Sequence, residues 1–333
     1  MRRVIQFLLL LIIAGGLFGG IAAVVAWQQL QTYMAMPGPL QEARNVVVPS
    51  GSGMAAITDL LESEGVIEKP LWFRIGARLN EQDRSLKAGE YALEPGMSPN
   101  AVLALLESGK VVQRKVTVVE GTTVHEILEI LRATEGLSGE LPDAMPDEGS
   151  LLPDTYFFQK GTTRTQMLER MQLAMIQTMD ELWPARAEDL PIATREEALI
   201  LASIVEKETG VAEERPQVAS VFVNRLRRGM RLQSDPTVIY GLTEGKGPLG
   251  RQLLRSDWEH ESPYNTYVIA GLPPGPIANP GHAAIEAVLQ PDETPYLYFV
   301  ADGSGGHAFA RTLDEHNRNV AHWRRVRDQQ ASD

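Results

Sequence analysis

The chain has 333 residues, 44% of them hydrophobic, with 43 acidic against 31 basic side chains and a net charge of −12. This hydrophobic content excludes long disorder, and the acidity excludes a general nucleic-acid binder, which needs a basic surface against phosphate. Cysteine is absent, which excludes disulfides, thiolate catalysis and zinc–cysteine sites. At the N-terminus, Arg2 and Arg3 precede an uncharged run over residues 4–27. At about 1.5 Å per residue this run crosses a hydrocarbon core of about 30 Å. It exceeds the roughly 7–15 residues of a secretory h-region, so residues 1–27 read as a cytoplasmic tip and an uncleaved membrane anchor. The segment has no polar face, which argues against a buried core helix. The arginines place the N-terminus in the cytoplasm and the rest outside, which in a bacterium is the periplasm or wall space.

Residues 28–45, with Pro37-Gly38-Pro39, read as a polar stalk. Residues 46–118 read as a small α+β module. Val46 to Val48 look like a strand, and helices are expected over 54–66 and 69–79. "AGEYALEPGMS" looks like a strand and a turn, Ser98 to Gly109 like a capped helix, and "QRKVTVVEG" like a closing strand. The strand–helix–helix–strand order resembles a LysM-like domain, a kind that binds N-acetylglucosamine polymers. A plain spacer that holds the rest away from the membrane is the alternative.

Residues 119–160 read as a connecting segment with an amphipathic helix over 122–136, followed by "LLPDTYFF". Residues 161–330 are mainly helical, then loop-rich around "LPPGPIANPG", with a late strand in "YLYFVADGSGGHAFA". The Gly-rich "ADGSGGHAF" lacks a P-loop lysine and reads as a hairpin turn. The histidines lack metal-ligand spacing, so neither a metal nor a cofactor is expected.

The stretch "LASIVEKETG" carries two candidate acids. Thr194 and Glu197 form a T-x-x-E capping box, so a helix should run from about Arg195 to Thr209, with Gly210 as the C′ residue. At about 100° per residue, Ala198, Leu201, Ile204, Val205 and Glu208 share one face. Arg195, Glu196, Ser203, Glu206 and Lys207 gather on the other, which makes Glu206 a solvated partner for nearby cations. Apolar surroundings and the negative end of the helix dipole both favour a protonated Glu208, the state of a general acid. A Glu208 that sits at a domain edge and reaches water is the alternative.

"IVEKETG" resembles the helix-end Glu-Ser/Thr signature of goose-type lysozymes and lytic transglycosylases, with Glu208-Thr209 in the Glu-Ser place. "LLPDTYFF", "LASIVEKET", "RPQVASVFVNRLRRGMRLQSDPTVIYG", "SPYNTYVIAGLPPGPIANPG" and "YLYFVADGSGGHAF", in that order, are similar to the endolytic murein transglycosylase (YceG-like) family over essentially the whole chain. Leu152, where the family often has Phe, is a departure. The resemblance implies an α+β fold: a transmembrane helix, a LysM-like module, and a mainly helical lysozyme-like catalytic domain with a β-containing C-terminal part. It implies cleavage of the MurNAc–GlcNAc β-1,4 bond within glycan strands, leaving 1,6-anhydro-MurNAc ends, with Glu208 as the one acid. It makes Gln233, Asp235, Thr237, Tyr240, Tyr264 and Asn265 candidates to hold the sugar, beside an exposed Asn279, with Glu206 as a second-layer residue or alternative acid. Peptidoglycan strands and the membrane are the implied partners, with peptidoglycan synthases or penicillin-binding proteins as further candidates. A hydrolytic muramidase and a non-catalytic wall-binding scaffold are the rival readings.

Overall fold

Helix α1 (Arg2–Ala35) opens the computed structural model, which describes residues 2–330. The chain divides into two units, the first ending at Arg114 and the second beginning at Lys115. Helix α1 is exposed along its apolar run, from Ile5 to Trp27, and is long and apolar enough to cross a membrane. Its last turns differ, because Leu30 and Met34 are buried in the first unit's core.

That core is built by β1 (Arg44–Val48), α2 (Met54–Ser63), α3 (Pro70–Leu79), β2 (Gly89–Leu93) and α4 (Pro99–Ser108). Strands β1 and β2 pair antiparallel, from Arg44 opposite Leu93 to Val48 opposite Gly89. Alternation along β1 turns Val46 and Val48 inward, onto Ile57, Leu61, Phe73 and Leu103. Ser98 caps α4 by accepting from the Ala101 N–H at 3.2 Å, and Gly109 ends it at a φ of 72°. The expected polar stalk over 28–45 is corrected. Helix α1 continues to Ala35, Leu40 is buried, and the Gly38 N–H donates to Met97 O at 3.1 Å. Leu30, Met34 and Leu40 supply the apolar contacts that draw this polar-looking segment into the core.

The strand expected to close the module belongs elsewhere: β3 (Arg114–Thr117) pairs with β4 (Thr155–Phe158). With α5 (Val124–Ala133) and α6 (Arg164–Leu182) they enclose a core of Val116, Ile127, Leu131, Leu151, Phe158, Met167 and Met171. Residues 119–160 are therefore core-forming rather than a mere connection. Then follow α7 (Arg195–Glu208), α8 (Arg215–Arg227), α9 (Asp235–Thr243), α10 (Arg255–Trp258) and α11 (His282–Leu289). A hairpin of β5 (Tyr298–Ala301) and β6 (His307–Ala310) precedes α12 (Leu313–Gln330). Helices α7, α8 and α11 share one core through Leu201, Ile204, Val205, Val218, Phe222, Ile285 and Val288. The stretch "LPPGPIANPG" is loop as expected, while α9, α10 and α11 on either side of it are helices too brief for periodicity to reveal.

Met34 is 2% exposed and its side chain fills the space over Gly76 of α3. Met34→Ala should cost about 2–5 kcal/mol, measurable by chemical denaturation of the detergent-solubilised chain.

Candidate active site

The capping box forms as the sequence predicts. The Glu197 N–H donates to Thr194 Oγ1 at 3.1 Å, and Glu197 Oε2 accepts from the Thr194 N–H at 3.3 Å. The other end differs. Thr209 stops α7 with extended backbone at a φ of −139°, its Oγ1 accepting from the Val211 N–H at 3.0 Å. Gly210 plays no left-handed role, because the threonine hydroxyl already turns the chain.

Glu208 is thus the last helical residue, partly covered at the end of a buried helix. Burial pushes its carboxyl from the ordinary 4.5 up to about 7, and the negative charge of Asp235 adds to the rise. The Ser234 hydroxyl, His307 and Arg225 act in the opposite direction. Ser234 Oγ is buried and lacks a partner within strict hydrogen-bond geometry, so its pull on Glu208 is a close approach rather than a formed bond.

Three elements deliver these groups. From α8, the buried Arg225 guanidinium donates to Leu297 O at 2.7 Å and Leu232 O at 2.6 Å. From the β5–β6 hairpin, His307 Nδ1 meets Glu214 Oε2 at 2.7 Å, and the His307 N–H donates to Glu214 Oε1 at 2.9 Å. At the start of α9, Asp235 Oδ1 accepts from Trp258 Nε1 at 2.9 Å and from the Tyr267 hydroxyl at 2.7 Å. The Trp258 and Tyr267 rings lie 5.9 Å apart, so Asp235 clamps a partly exposed aromatic pair. Just before it, Gln233 is exposed at a φ of 53°, a strained left-handed backbone of the kind that gathers at functional sites.

Other expectations are corrected. The Glu206 side chain is only 5% exposed, not solvated: it accepts from the Gly281 N–H at 2.8 Å and lies 3.9 Å from Arg215. Ser203, on the same face, is buried and accepts from the Ile277 N–H at 3.0 Å. The proline-rich loop therefore covers the Ser203 and Glu206 part of that face, while Arg195, Glu196 and Lys207 stay exposed as phase predicts. Asn265 is wholly buried, its amide donating to Trp258 O at 3.1 Å and His260 O at 2.8 Å, its oxygen accepting from the Tyr267 N–H at 2.9 Å. It holds the aromatic pair and has no capacity left for sugar. Thr237 is buried too, donating to Ser234 O at 2.6 Å. Asn279, expected exposed, is buried against Thr122 O and Glu148 Oε1, each at 3.0 Å. Tyr240 and Tyr264, with rings 4.8 Å apart, gather at Glu148 instead of Glu208, the Tyr240 hydroxyl donating to Glu148 Oε2 at 3.4 Å. Burial lifts Glu148 to about 7 as well. Its cleft of about 430 Å³ is lined by Tyr264, Ser150 and Pro276 but not by Glu208.

Sequence reading missed Arg225, His307, Glu214 and Trp258. Trp258, set among Asp257, Glu259 and His260, was the one legible signal: a large aromatic without apolar neighbours in sequence.

The YceG-like family pattern matches residues 46–322. The chain belongs to the YceG-like family. An endolytic murein transglycosylase of Bacillus subtilis is 33% identical over 304 residues, covering 82% of this chain and 83% of that protein. One of Streptococcus pneumoniae serotype 2 is 30% identical over 96% of this chain, which spans 64% of the pneumococcal protein. The crystal structure of a YceG-like protein from Listeria monocytogenes aligns with a TM-score of 0.50 at 33% identity, over 84% of this chain and 99% of that one.

A glutamate whose folded pKa exceeds its unfolded value stabilises the fold fully below about pH 4.5, and that stability is lost as pH rises through about 7. Glu208→Gln abolishes the loss at this site. Denaturation at about pH 5 and about pH 8 should show the variant gaining about 2–3 kcal/mol on the wild type over that interval.

Proposed function

We propose that this YceG-like chain is an endolytic murein transglycosylase, cleaving the MurNAc–GlcNAc β-1,4 bond within peptidoglycan strands and leaving 1,6-anhydro-MurNAc ends. The observation that carries it is Glu208, an acid lifted to about 7 at the end of a buried helix. Protonated Glu208 donates to the glycosidic oxygen as the C1–O bond breaks. The carboxylate so formed takes the proton of the muramyl C6 hydroxyl, whose oxygen closes on C1. Both steps demand one group able to hold and release a proton near neutrality. Desolvation favours the acid, and Arg225 and His307 favour the carboxylate that follows. The nucleophile belongs to the substrate, so its effective concentration is high and a second catalytic carboxylate is unnecessary.

Asp235, Trp258 and Tyr267 are assigned to sugar binding, the rings offering apolar faces and Gln233 an exposed amide beside them. A muramidase is the second reading, because Asp235 acts electrostatically on Glu208 and its exposed carboxyl is a candidate to activate water. The order β1–α2–α3–β2 with an antiparallel strand pair supports a LysM-like first unit. Helix α7, ending in Glu-Thr and surrounded by α8 and α11, supports a lysozyme-like second unit. Helix α1 is long and apolar enough to cross a membrane. Arg2, with Arg3, supports a cytoplasmic N-terminus and a catalytic unit on the outer face of the inner membrane. An enzyme held there is suited to terminate nascent strands beside peptidoglycan synthases or penicillin-binding proteins.

Mass spectrometry of digested sacculi should show anhydro-muramyl ends; reducing muramyl ends would establish the muramidase. Glu208→Gln should lower kcat by about 10²–10⁴. Wild-type kcat/KM should fall above about pH 7, as the acid loses its proton. Glu206→Gln should keep most activity; its loss, with Glu208→Gln active, would transfer the role.

A further inference from the structure

Helix α3 presents a face that nothing in the first unit covers. Leu71, Ile75 and Leu79, at i, i+4 and i+8, form one stripe and are 64%, 43% and 53% exposed. Phe73, Gly76 and Ala77 take the buried side. Arg74 and Arg78 border the stripe, with Lys69 just before the helix. Three large apolar side chains in register, edged by bases, are the pattern of an interfacial helix.

We propose that α3 lies in the surface of the membrane that α1 crosses, its Leu71–Ile75–Leu79 stripe entering the acyl boundary and its basic residues meeting lipid phosphates. The proposal rests on the reading of α1 as a membrane span. Its occupant follows from where α3 sits on α1. The Tyr33 and Trp72 rings meet edge-on at 6.2 Å, and Met34 covers Gly76. Tyr33 lies six residues beyond Trp27, the end of the apolar run, so about 9 Å along the helix axis. The headgroup layer on each side of a bilayer is about 5–8 Å thick. Contact at Tyr33 therefore sets α3 at the outer edge of that layer. A groove of about 710 Å³ reaches further down, lined by Val25, Gln29, Tyr33, Lys69 and Trp72, so it begins inside the apolar run.

The side chains at this level are those an interface selects. The Lys69 ammonium lies 5.6 Å from the Tyr33 ring and 5.5 Å from the Trp72 ring, and the Lys69 N–H donates to the Tyr33 hydroxyl at 3.2 Å. Tyr and Trp settle at headgroup depth, and lysine extends its charge toward phosphate. Of the bordering arginines, Arg74 is shared with Asp59 at 3.2 Å, leaving Lys69 and Arg78 as the freer cations; Glu68 also lines the groove. Seated this way, the first unit cannot swing freely about α1, because a second anchoring element fixes its rotation on the bilayer.

The chain has no cysteine, so single-cysteine variants carry a nitroxide cleanly. Leu71→Cys, Ile75→Cys and Leu79→Cys are labelled in the full chain in vesicles of phosphatidylethanolamine and phosphatidylglycerol. Ile13→Cys reports the span, and the exposed Lys110→Cys the aqueous phase. The ratio of relaxation by oxygen to relaxation by a water-soluble nickel chelate gives depth. All three stripe labels should show a ratio several-fold above that at position 110 and below that at position 13. Stripe labels as nickel-accessible as position 110, with position 13 deep, would overturn the proposal, as they would if a protein partner covered the face in cells. A wet label at position 13 would instead overturn the span itself.

Discussion

The desolvation of one carboxyl at the end of α7 governs the site. An acid in water ionises near 4.5; Glu208 is pushed to about 7 because the helix that carries it is enclosed by α8, α11 and the proline-rich loop. The helix ends at that residue, and Thr209 ends it through its own side chain.

The opposing charges around Glu208 are held by contacts that do no chemistry themselves. Arg225 is fixed by the carbonyls of Leu232 and Leu297 instead of by a carboxylate, so its charge remains available to the field at Glu208. Glu214 orients His307 through both ring and backbone. Asn265 ties the segment carrying Trp258 to that carrying Tyr267, and Asp235 closes the arrangement from α9. Arg251 forks onto Asp257 at 2.6 and 3.0 Å and holds that carboxyl down at about 2, which secures the turn before Trp258. The buried Arg225 and Asn265 side chains are consumed by backbone partners, as their desolvation requires.

What the sequence disclosed follows the range of each interaction. The capping box is a four-residue pattern and was legible from Thr194 and Glu197. The phase of α7 was enough to set Glu208 on the buried side. Phase misplaced Glu206, because the loop that covers it returns more than 70 residues later in the chain. Thr237, Asn265 and Asn279 looked like sugar-binding side chains because polarity is visible in sequence and burial is not. Residues 28–45 looked like a stalk because Leu30, Met34 and Leu40 are too sparse to announce a core. The placement of Arg225 and His307 near Glu208 is a product of tertiary packing alone. The family resemblance supplied the reaction, and the desolvation of Glu208 is the physical basis on which the proposed single-acid route rests.

The central claim is that Glu208 itself keeps its proton to near neutrality. Its most direct test is a carbon-13 NMR titration of the glutamate side-chain carboxyls, with the Glu208 resonance assigned by its loss in Glu208→Gln. The account predicts a midpoint of about 7 for that resonance. A midpoint at the ordinary glutamate value of 4.5 would contradict it.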